Sequence, residues 1–216
     1  MAALDPKRLA VYVVTSAGFA GRSHGDLVNA AIDGGVTAVQ FRAPELHDGA
    51  LLPLAADLAE RCRTAGVLFI VNDDADVAVS AGADGAHAGQ GDDPAGARRV
   101  LGADRVLGVS VGSPAEASRA VELGADYLGV TVWASPTKPD ANALGLEGIA
   151  EIAATTSLPI VGIGGIDAGN AAEVIAAGAS GIAVISAVAA TDDPAAATRE
   201  LRAVVDEALR DRRWAR

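Results

Sequence analysis

The feature that most constrains the fold of this chain is a regular alternation of two kinds of segment along its 216 residues. Short runs typical of buried strands recur eight times, and Ala-rich, charge-spaced segments of helical character lie between them, also eight in number. The predicted strands cover residues 9–14, 37–41, 67–71, 85–87, 106–109, 127–131, 159–163 and 181–185. The predicted helices cover residues 25–33, 48–65, 74–81, 93–101, 114–123, 147–155, 168–177 and 194–212. This alternation predicts parallel strands, because each crossover lays a helix on the sheet.

Glycine marks the points where several predicted helices end and the next strand begins. Glycine occupies such a junction in each of the segments "DGGVTAV", "SAGADGAHA", "ELGADYLGV" and "AAGASGIAV". Glycine readily adopts the left-handed conformation that ends a helix. Eight such units predict an α/β fold, a closed (β/α)8 TIM barrel that forms a single domain over residues 1–216. A doubly wound open sheet is the competing architecture, but it normally has fewer strands at this length, and no GxGxxG follows the first strand.

Charge and composition narrow the classes of function. Seventeen Lys and Arg against 28 Asp and Glu give a net charge of −11, which argues against general attraction to nucleic acid or to anionic membranes. An anionic small substrate would therefore need a metal ion or a few well-placed cations. The single cysteine, Cys62, excludes an internal disulfide framework and suits a reducing cytoplasm. No export signal is indicated, and the longest uncharged window, residues 174–190, is interpreted as a helix end followed by a short strand.

Carboxylates follow the third and fourth predicted strands. In either architecture the active site belongs at the carboxyl ends of the strands, which is where Asp73 and Asp92 lie. Two carboxylates from neighbouring strand ends can share one Mg²⁺ and leave positions for water and phosphate oxygens. The alternative is that they cap the helices that follow. For Asp74, Asp76 and Asp93 we expect the capping role.

Other polar side chains lie at further strand ends. Arg42 carries a forked donor suited to phosphate or carboxylate, although a surface salt bridge is the plain alternative. Gln40 precedes it, Asn72 offers an oxygen ligand beside the acidic pair, and Ser110 can donate a hydrogen bond. We expect His87, at the end of the fourth strand, to be a structural hydrogen-bonding group rather than a general base. No arrangement of Ser, His and acid is evident, so a nucleophilic hydrolase is unsupported.

Two regions after later strands predict a phosphate site. The loop after the sixth strand, "TVWASPTKPDANALG", combines compact hydroxyl donors with a positive charge, although a plain turn is the alternative interpretation. Its candidate residues are Ser135, Pro136, Thr137 and Lys138. Gly164 and Gly165 allow the backbone to approach a ligand closely, and the amides near Ile185 and Ser186 can face the same anion. A phosphate pocket after strands seven and eight recurs in barrels of this kind.

Taken together, these stretches resemble the thiamine phosphate synthase family, whose relative, the thiazole tautomerase, shares the same barrel. The resemblance covers nearly the whole chain and rests on the order of "VTAVQFR", "FIVNDDADVAVSAGADGAHAGQGD", "SPTKPDA", "GIGGI" and "GIAVISA". It implies a transferase that joins hydroxymethylpyrimidine diphosphate to a thiazole phosphate, or its carboxylated form, and releases diphosphate. Related enzymes also suggest a homodimer.

The resemblance implies roles for the candidate residues. Asp73 and Asp92 match the family's Mg²⁺ ligands. The matches to pyrimidine diphosphate contacts are Gln40, Arg42, Asn72, Ser110 and Lys138, of which Arg42, Ser110 and Lys138 are the catalytic candidates. The matches to the thiazole phosphate pocket are Ser135, Thr137, Gly165, Ile185 and Ser186, with Pro136 between the two loop hydroxyls.

The chain departs from the family pattern at two positions. Pro44 stands where the family usually carries a Lys, and Asp74 stands where it usually carries an Arg. These changes keep two alternatives open. A tautomerase typically uses a His in the loop after the sixth strand, but Val132 lies about where it would be. A noncatalytic barrel that binds a phosphorylated metabolite is the other alternative, and the presence of both metal carboxylates argues against it.

Overall fold

The structure, a computed structural model, describes residues 4–16, 21–46, 49–134 and 142–214. Within these ranges eight parallel strands close into a barrel in sequence order. The strands are β1 Val11–Val14, β2 Ala38–Phe41, β3 Leu68–Asn72, β4 Gly85–Ala88, β5 Val106–Ser110, β6 Tyr127–Thr131, β7 Ile160–Ile163 and β8 Gly181–Val184. The helices are α1 His24–Asp33, α2 Leu51–Ala65, α3 Ala75–Ser80, α4 Pro94–Leu101, α5 Pro114–Glu122, α6 Gly145–Ala153, α7 Ala171–Ala176, α8 Ser186–Ala189 and α9 Pro194–Trp214.

The pairing of the last strand with the first closes the barrel. Val11 of β1 lies opposite Ile182 of β8 in parallel register. The predicted (β/α)8 barrel is thereby confirmed, and the competing open sheet is wrong. Because every strand runs in the same direction, all carboxyl ends meet at one rim, and this rim positions the candidate site.

Apolar side chains form two layers of core. Successive side chains on a strand point to opposite faces, so Tyr12 and Val14 of β1 pack inside the barrel, whereas Val11 and Val13 pack against the helices. The outer layer consists mainly of Ala, Val, Leu and Ile. This composition lets the helices lie close to the sheet, as expected for a chain with only 3% aromatic residues.

Two short elements differ from the expectation. Leu9, predicted to begin the first strand, instead ends a 3-10 helix, Pro6–Leu9, and β1 begins at Val11. This helix forms because Asp5 caps the Lys7 amide and proline suits the first helical turn. The four-residue helix α8 is also additional to the predicted set. The uncharged window at residues 174–190 contains the end of α7 followed by β8, as predicted, and also the unpredicted α8. Among the residues that the structure describes, no helix is both long and apolar enough to cross a membrane.

Candidate active site

A cavity of about 530 Å³ lies at the rim formed by the carboxyl ends of the strands. The candidate residues that line it are Gln40, Arg42, Asn72, Asp73, Asp92, Ser110, Gly165, Ile185 and Ser186. Four further candidates, Ser135, Pro136, Thr137 and Lys138, lie outside the described residues. The structure therefore brings all the candidates that it describes into one cavity.

The carboxylates of Asp73 and Asp92 face a common point above Gly89. A Cβ atom added at Gly89 would lie 3.3 Å from Asp92 Oδ2 and 3.5 Å from Asp73 Oδ1. The Gly89 amide donates a 2.6 Å hydrogen bond to Asp92 Oδ2, which fixes the direction of that carboxylate. Partial burial in the cavity raises the pKa of Asp73, and the hydrogen bond with Asp92 and the charge of Asp92 raise that pKa further. Adjacent carboxylates that repel each other are an arrangement that a cation stabilises.

This acidic pair fits a divalent cation that is also held by a substrate. Within the described ranges, no cluster of three or more His, Cys, Asp or Glu side chains could hold a metal ion. Mg²⁺ is commonly bound through one or two carboxylates, with water and substrate phosphates as the remaining ligands. Asp73 and Asp92 meet that requirement, and Asn72 lines the same cavity.

The backbone of Asp73 explains how a carboxylate comes to lie at the end of β3. Asp73 has a φ of 63° and is the one non-glycine residue with a positive φ among those described. Asp tolerates this left-handed conformation better than most side chains do. Its amide donates to the His87 carbonyl oxygen at 2.8 Å and so continues the ladder between β3 and β4. The chain can therefore turn sharply towards α3 without releasing the sheet.

The neighbouring acidic residues have structural roles. Asp74 is the N-cap of α3, since its carboxylate accepts from the Val77 amide at 2.8 Å, as predicted. Asp76 lies in the first turn of the same helix, where a negative charge complements the helix dipole, but it is not the cap. Asp93 occupies the N-cap position of α4 without a side-chain capping bond, and its carboxylate lies 3.5 Å from Arg99. The N-cap prediction is therefore confirmed for the position of Asp93, although its side chain makes no capping bond, and it is wrong for Asp76.

A buried threonine fixes the backbone at Arg42. The Thr15 hydroxyl accepts from the Arg42 amide at 3.1 Å and donates to the Arg42 carbonyl oxygen at 3.5 Å. Thr15 is 0% exposed, so water does not compete for the two hydrogen bonds of this clip, while the Arg42 side chain lines the cavity. No described carboxylate lies within 4.0 Å of the Arg42 guanidinium, so the plain alternative of a surface salt bridge is not observed there.

Five side chains form a continuous hydrogen-bonded chain across the barrel interior, which we call the polar chain. Its members, in order, are Gln40, Tyr12, Tyr127, His87 and Ser110. The Gln40 amide nitrogen donates to Tyr12 Oη at 3.0 Å, and the two tyrosine oxygens lie 3.0 Å apart. His87 then lies 3.0 Å from Tyr127 Oη through Nδ1 and 2.9 Å from Ser110 Oγ through Nε2. His87 is thus a buried hydrogen-bonding group, as predicted.

Two glycines make room for the polar chain. Gly108 of β5 pairs directly with Tyr127 of β6, and a Cβ atom at Gly108 would clash with the Tyr127 ring and with His87 Nδ1. A Cβ atom at Gly129 would lie 3.0 Å from His87 Cε1. Burial raises the pKa of both Tyr12 and Tyr127, so each phenol keeps its single proton. Sequence reasoning missed both tyrosines because they lie inside strands, although inward tyrosines beside strand glycines were a usable signal.

The predicted glycine pair after β7 is held by packing as well as by conformation. Gly164 and Gly165 have φ values of 96° and 63°, and a Cβ atom at Gly164 would clash with the Trp133 carbonyl oxygen. The Asn170 side chain donates to the Gly165 carbonyl oxygen at 2.9 Å and so holds this turn in place. Asn170 was not among the candidates, since nothing local in the sequence links it to a residue five positions earlier.

Comparisons with known proteins point to one family. A family model described as thiamine monophosphate synthase matches residues 11–188. The thiamine-phosphate synthase of Chloroflexus aurantiacus is 51% identical over 199 residues, covering 90% of this chain and 92% of that protein. The thiamine-phosphate synthase of a Roseiflexus species is 48% identical over 206 residues, covering 94% of this chain and 87% of that protein.

A solved structure extends the similarity to three dimensions. Thiamine phosphate pyrophosphorylase from Pyrococcus furiosus superposes with a TM-score of 0.87 at 36% identity, covering 94% of this chain and 98% of that one. The matched residues 11–188 include both members of the acidic pair and every member of the polar chain. The chain therefore belongs to the thiamine monophosphate synthase family.

Proposed function

We propose that this protein joins hydroxymethylpyrimidine diphosphate to a thiazole phosphate, or its carboxylated form, to give thiamine phosphate and diphosphate. The observation that carries the proposal is the acidic pair, Asp73 and Asp92, facing one point in a cavity that Arg42 also lines. A phosphorylated leaving group needs concentrated positive charge, which a cation on this pair and the guanidinium would supply together. The names of the relatives point to the same reaction.

Asp73 and Asp92 are the residues that would hold Mg²⁺. When bound there, Mg²⁺ would neutralise the charge that develops on the departing diphosphate. Arg42 would bind phosphate oxygens through its forked donors, and the Thr15 clip would keep its backbone in position. Asn72, Gln40 and Ser110 would orient the pyrimidine end of the substrate.

The remaining steps need positioning more than covalent catalysis. Once the bond to diphosphate breaks, the electron-rich pyrimidine stabilises the cation at its exocyclic carbon, and the thiazole nitrogen attacks that carbon. No enzyme nucleophile takes part in this scheme. Burial raises the pKa of the Cys62 thiol to about 12, so this side chain stays a neutral part of the core. Gly165, Ile185 and Ser186 line the cavity after β7 and β8, whereas the acidic pair follows β3 and β4. The backbone around these three residues would bind the thiazole phosphate.

The two departures from the family pattern have different weight. Asp74 caps α3 and does not line the cavity, so its carboxylate is directed to the helix and not to the diphosphate. Pro44 removes one cation from the segment after β2. We therefore expect weaker binding of diphosphate rather than a different reaction.

The tautomerase alternative has less support. Val132, which lies about where that family carries its His, is 0% exposed and packs in the outer core layer. A side chain at this position would point away from the cavity. A tautomerase would isomerise the carboxylated thiazole phosphate without the pyrimidine substrate, whereas a binding protein would turn over neither compound.

The test is a two-substrate assay with purified protein and Mg²⁺, in which thiamine phosphate and diphosphate are measured. Asp73→Asn is expected to lower kcat by about 100-fold or more, because it removes an anionic ligand from the cation. The matched control is Asp76→Asn, since Asp76 lies three residues away in the first turn of α3 and does not line the cavity. The control should keep nearly full activity. Absence of product from the unmodified protein at high concentration would reject the proposal.

We also infer a cytoplasmic location from the single cysteine, Cys62, and a homodimer from the family resemblance. Sedimentation equilibrium on the full chain would test the dimer. Neither inference enters the chemistry proposed for the cavity.

A further inference from the structure

The direction of the hydrogen bonds along the polar chain follows from the number of protons available. Gln40 donates to Tyr12 Oη through its amide nitrogen, and Tyr12 avoids facing two donors only if its own proton points to Tyr127 Oη, 3.0 Å away. The Tyr127 oxygen then accepts, and its own proton points to His87 Nδ1 at 3.0 Å. Each hydroxyl carries one proton, so the direction set at Gln40 passes along the chain.

This direction determines the tautomer of His87. Because Nδ1 accepts, the neutral ring carries its proton on Nε2 and donates to Ser110 Oγ at 2.9 Å. A doubly protonated ring would force Tyr127 to donate back to Tyr12, which would then face two donors. The Ser110 hydroxyl proton is therefore not needed within the polar chain and can point into the cavity that Ser110 lines.

At the other end of the polar chain, Gln40 offers a hydrogen-bond acceptor, whereas Ser110 offers a donor. Gln40 is 6% exposed and lines the same cavity. Since its amide nitrogen donates to Tyr12, its amide oxygen points away from Tyr12, on the other side of the Cγ–Cδ bond. Turning the amide over would present its nitrogen to the cavity, and every bond from Tyr12 to Ser110 would have to reverse.

We propose that Tyr12, Tyr127 and His87 are positioning residues that hold Gln40 as an acceptor and Ser110 as a donor towards the substrate. The acceptor role of Gln40 and the donor role of Ser110 cannot change independently, because the hydrogen bonds through the three buried groups between them all point the same way. Gly108 and Gly129, which leave the space for Tyr127 and His87, show that the barrel interior is built around this arrangement.

The inference rests on the proposed function and specifies what the site selects in its pyrimidine substrate. A ring that carries an amino group and an unprotonated ring nitrogen offers a donor to Gln40 and an acceptor to Ser110. A ring with a carbonyl in place of the amino group, and hence an N–H at the ring nitrogen, presents the inverse pattern. The site should therefore select amino over oxo pyrimidines through the fixed direction of the polar chain.

The first measurement needs no substrate and is independent of the proposed reaction. The chain has three histidines, so ¹⁵N NMR of the imidazoles of the full-length protein can report each tautomer. We expect His87 to carry its proton on Nε2, and Tyr127→Phe to remove that preference. His24, whose Nε2 lies 2.7 Å from Glu45 Oε1, serves as the internal control and should not respond. A proton on Nδ1 of His87 in the unmodified protein would overturn the inference.

The second measurement compares three probes, each with Mg²⁺: the aminopyrimidine diphosphate, its oxo analogue and inorganic diphosphate. The unmodified protein is expected to bind the amino compound about 100-fold more tightly than the oxo compound. Tyr12→Phe and Tyr127→Phe should each lower this preference to about tenfold or less, while the affinity for inorganic diphosphate changes by less than about twofold.

The ratio between the two rings separates positioning from general stability. A merely structural role of the tyrosines would weaken both rings equally, or would weaken inorganic diphosphate as well. An unchanged amino preference in both variants, with both proteins folded by circular dichroism, would contradict the proposal. If the two-substrate assay failed while His87 showed the expected tautomer, only the proposed function would be rejected.

Discussion

At the scale of single residues, the position of a charge in this protein matters more than its presence. Asp73 and Asp74 are adjacent, yet one faces Asp92 in the cavity and the other caps α3. The positive φ of Asp73 separates them, because it turns the chain between the sheet and the helix. Counting charges in the sequence therefore overstates the negative charge of the site.

Pro44 gives a prediction at this scale. Pro44→Lys restores a cation after β2, and we expect it to lower KM for the pyrimidine diphosphate by about threefold to tenfold, because a cation near a phosphate adds a favourable electrostatic contact. The measurement is steady-state kinetics at low and high salt. Pro44→Gln is the matched control, since it removes the proline ring without adding charge. If both variants behave alike, the effect comes from the backbone and the charge argument is wrong.

At the scale of elements, the inward faces of β5 and β6 are adapted to the polar chain. Glycine in a strand normally weakens it, but here Gly108 lies opposite Tyr127 and leaves room for its ring. Glycine at this position weakens β5 locally, but it allows the buried polar groups of the polar chain to form hydrogen bonds with one another.

Gly108→Ala is expected to destabilise the protein by about 3 kcal/mol, because its methyl group has no space against Tyr127 and His87. Urea denaturation followed by circular dichroism measures this change. The control is Gly25→Ala in α1, where the nearest atom to an added Cβ is the end of the flexible Arg61 side chain at 3.4 Å. That variant should be neutral or slightly stabilised, since Ala favours helix. Equal effects of the two variants would mean that the fit around Tyr127 is looser than the structure indicates.

At the scale of the whole molecule, a cation that binds only the folded chain must stabilise it. The protein has a net charge of −11, and its acidic pair depends on the barrel bringing β3 and β4 together. The free energy of cation binding to Asp73 and Asp92 is therefore added to the free energy of unfolding.

Thermal unfolding with and without Mg²⁺ tests this linkage. At ten times its Kd, Mg²⁺ should stabilise the folded state by about 1.4 kcal/mol, with a rise in Tm. Asp92→Asn should remove most of that rise, whereas Asp193→Asn should keep it, because Asp193 accepts from the Ala196 amide and does not line the cavity. An equal rise in both variants would show that Mg²⁺ acts through the general surface charge.

The sequence by itself determined the barrel and pointed to the rim where the candidate site lies. Helix ends, glycine punctuation and apolar runs are local signals, so the order of strands and helices could be predicted to within a few residues, and polar residues at strand ends marked the rim. The family resemblance added a proposed role for each of these residues.

The tertiary structure alone decided which side chains meet. Tyr12 and Tyr127 are separated by 115 positions, and they touch only because the closed barrel turns both towards one narrow interior. The same is true of Asp73 and Asp92. In the sequence, both could equally be helix caps, and the turn after β3 directs Asp73 towards Asp92. Contacts of this kind depend on closure, strand register and backbone conformation acting together, and no local pattern encodes them.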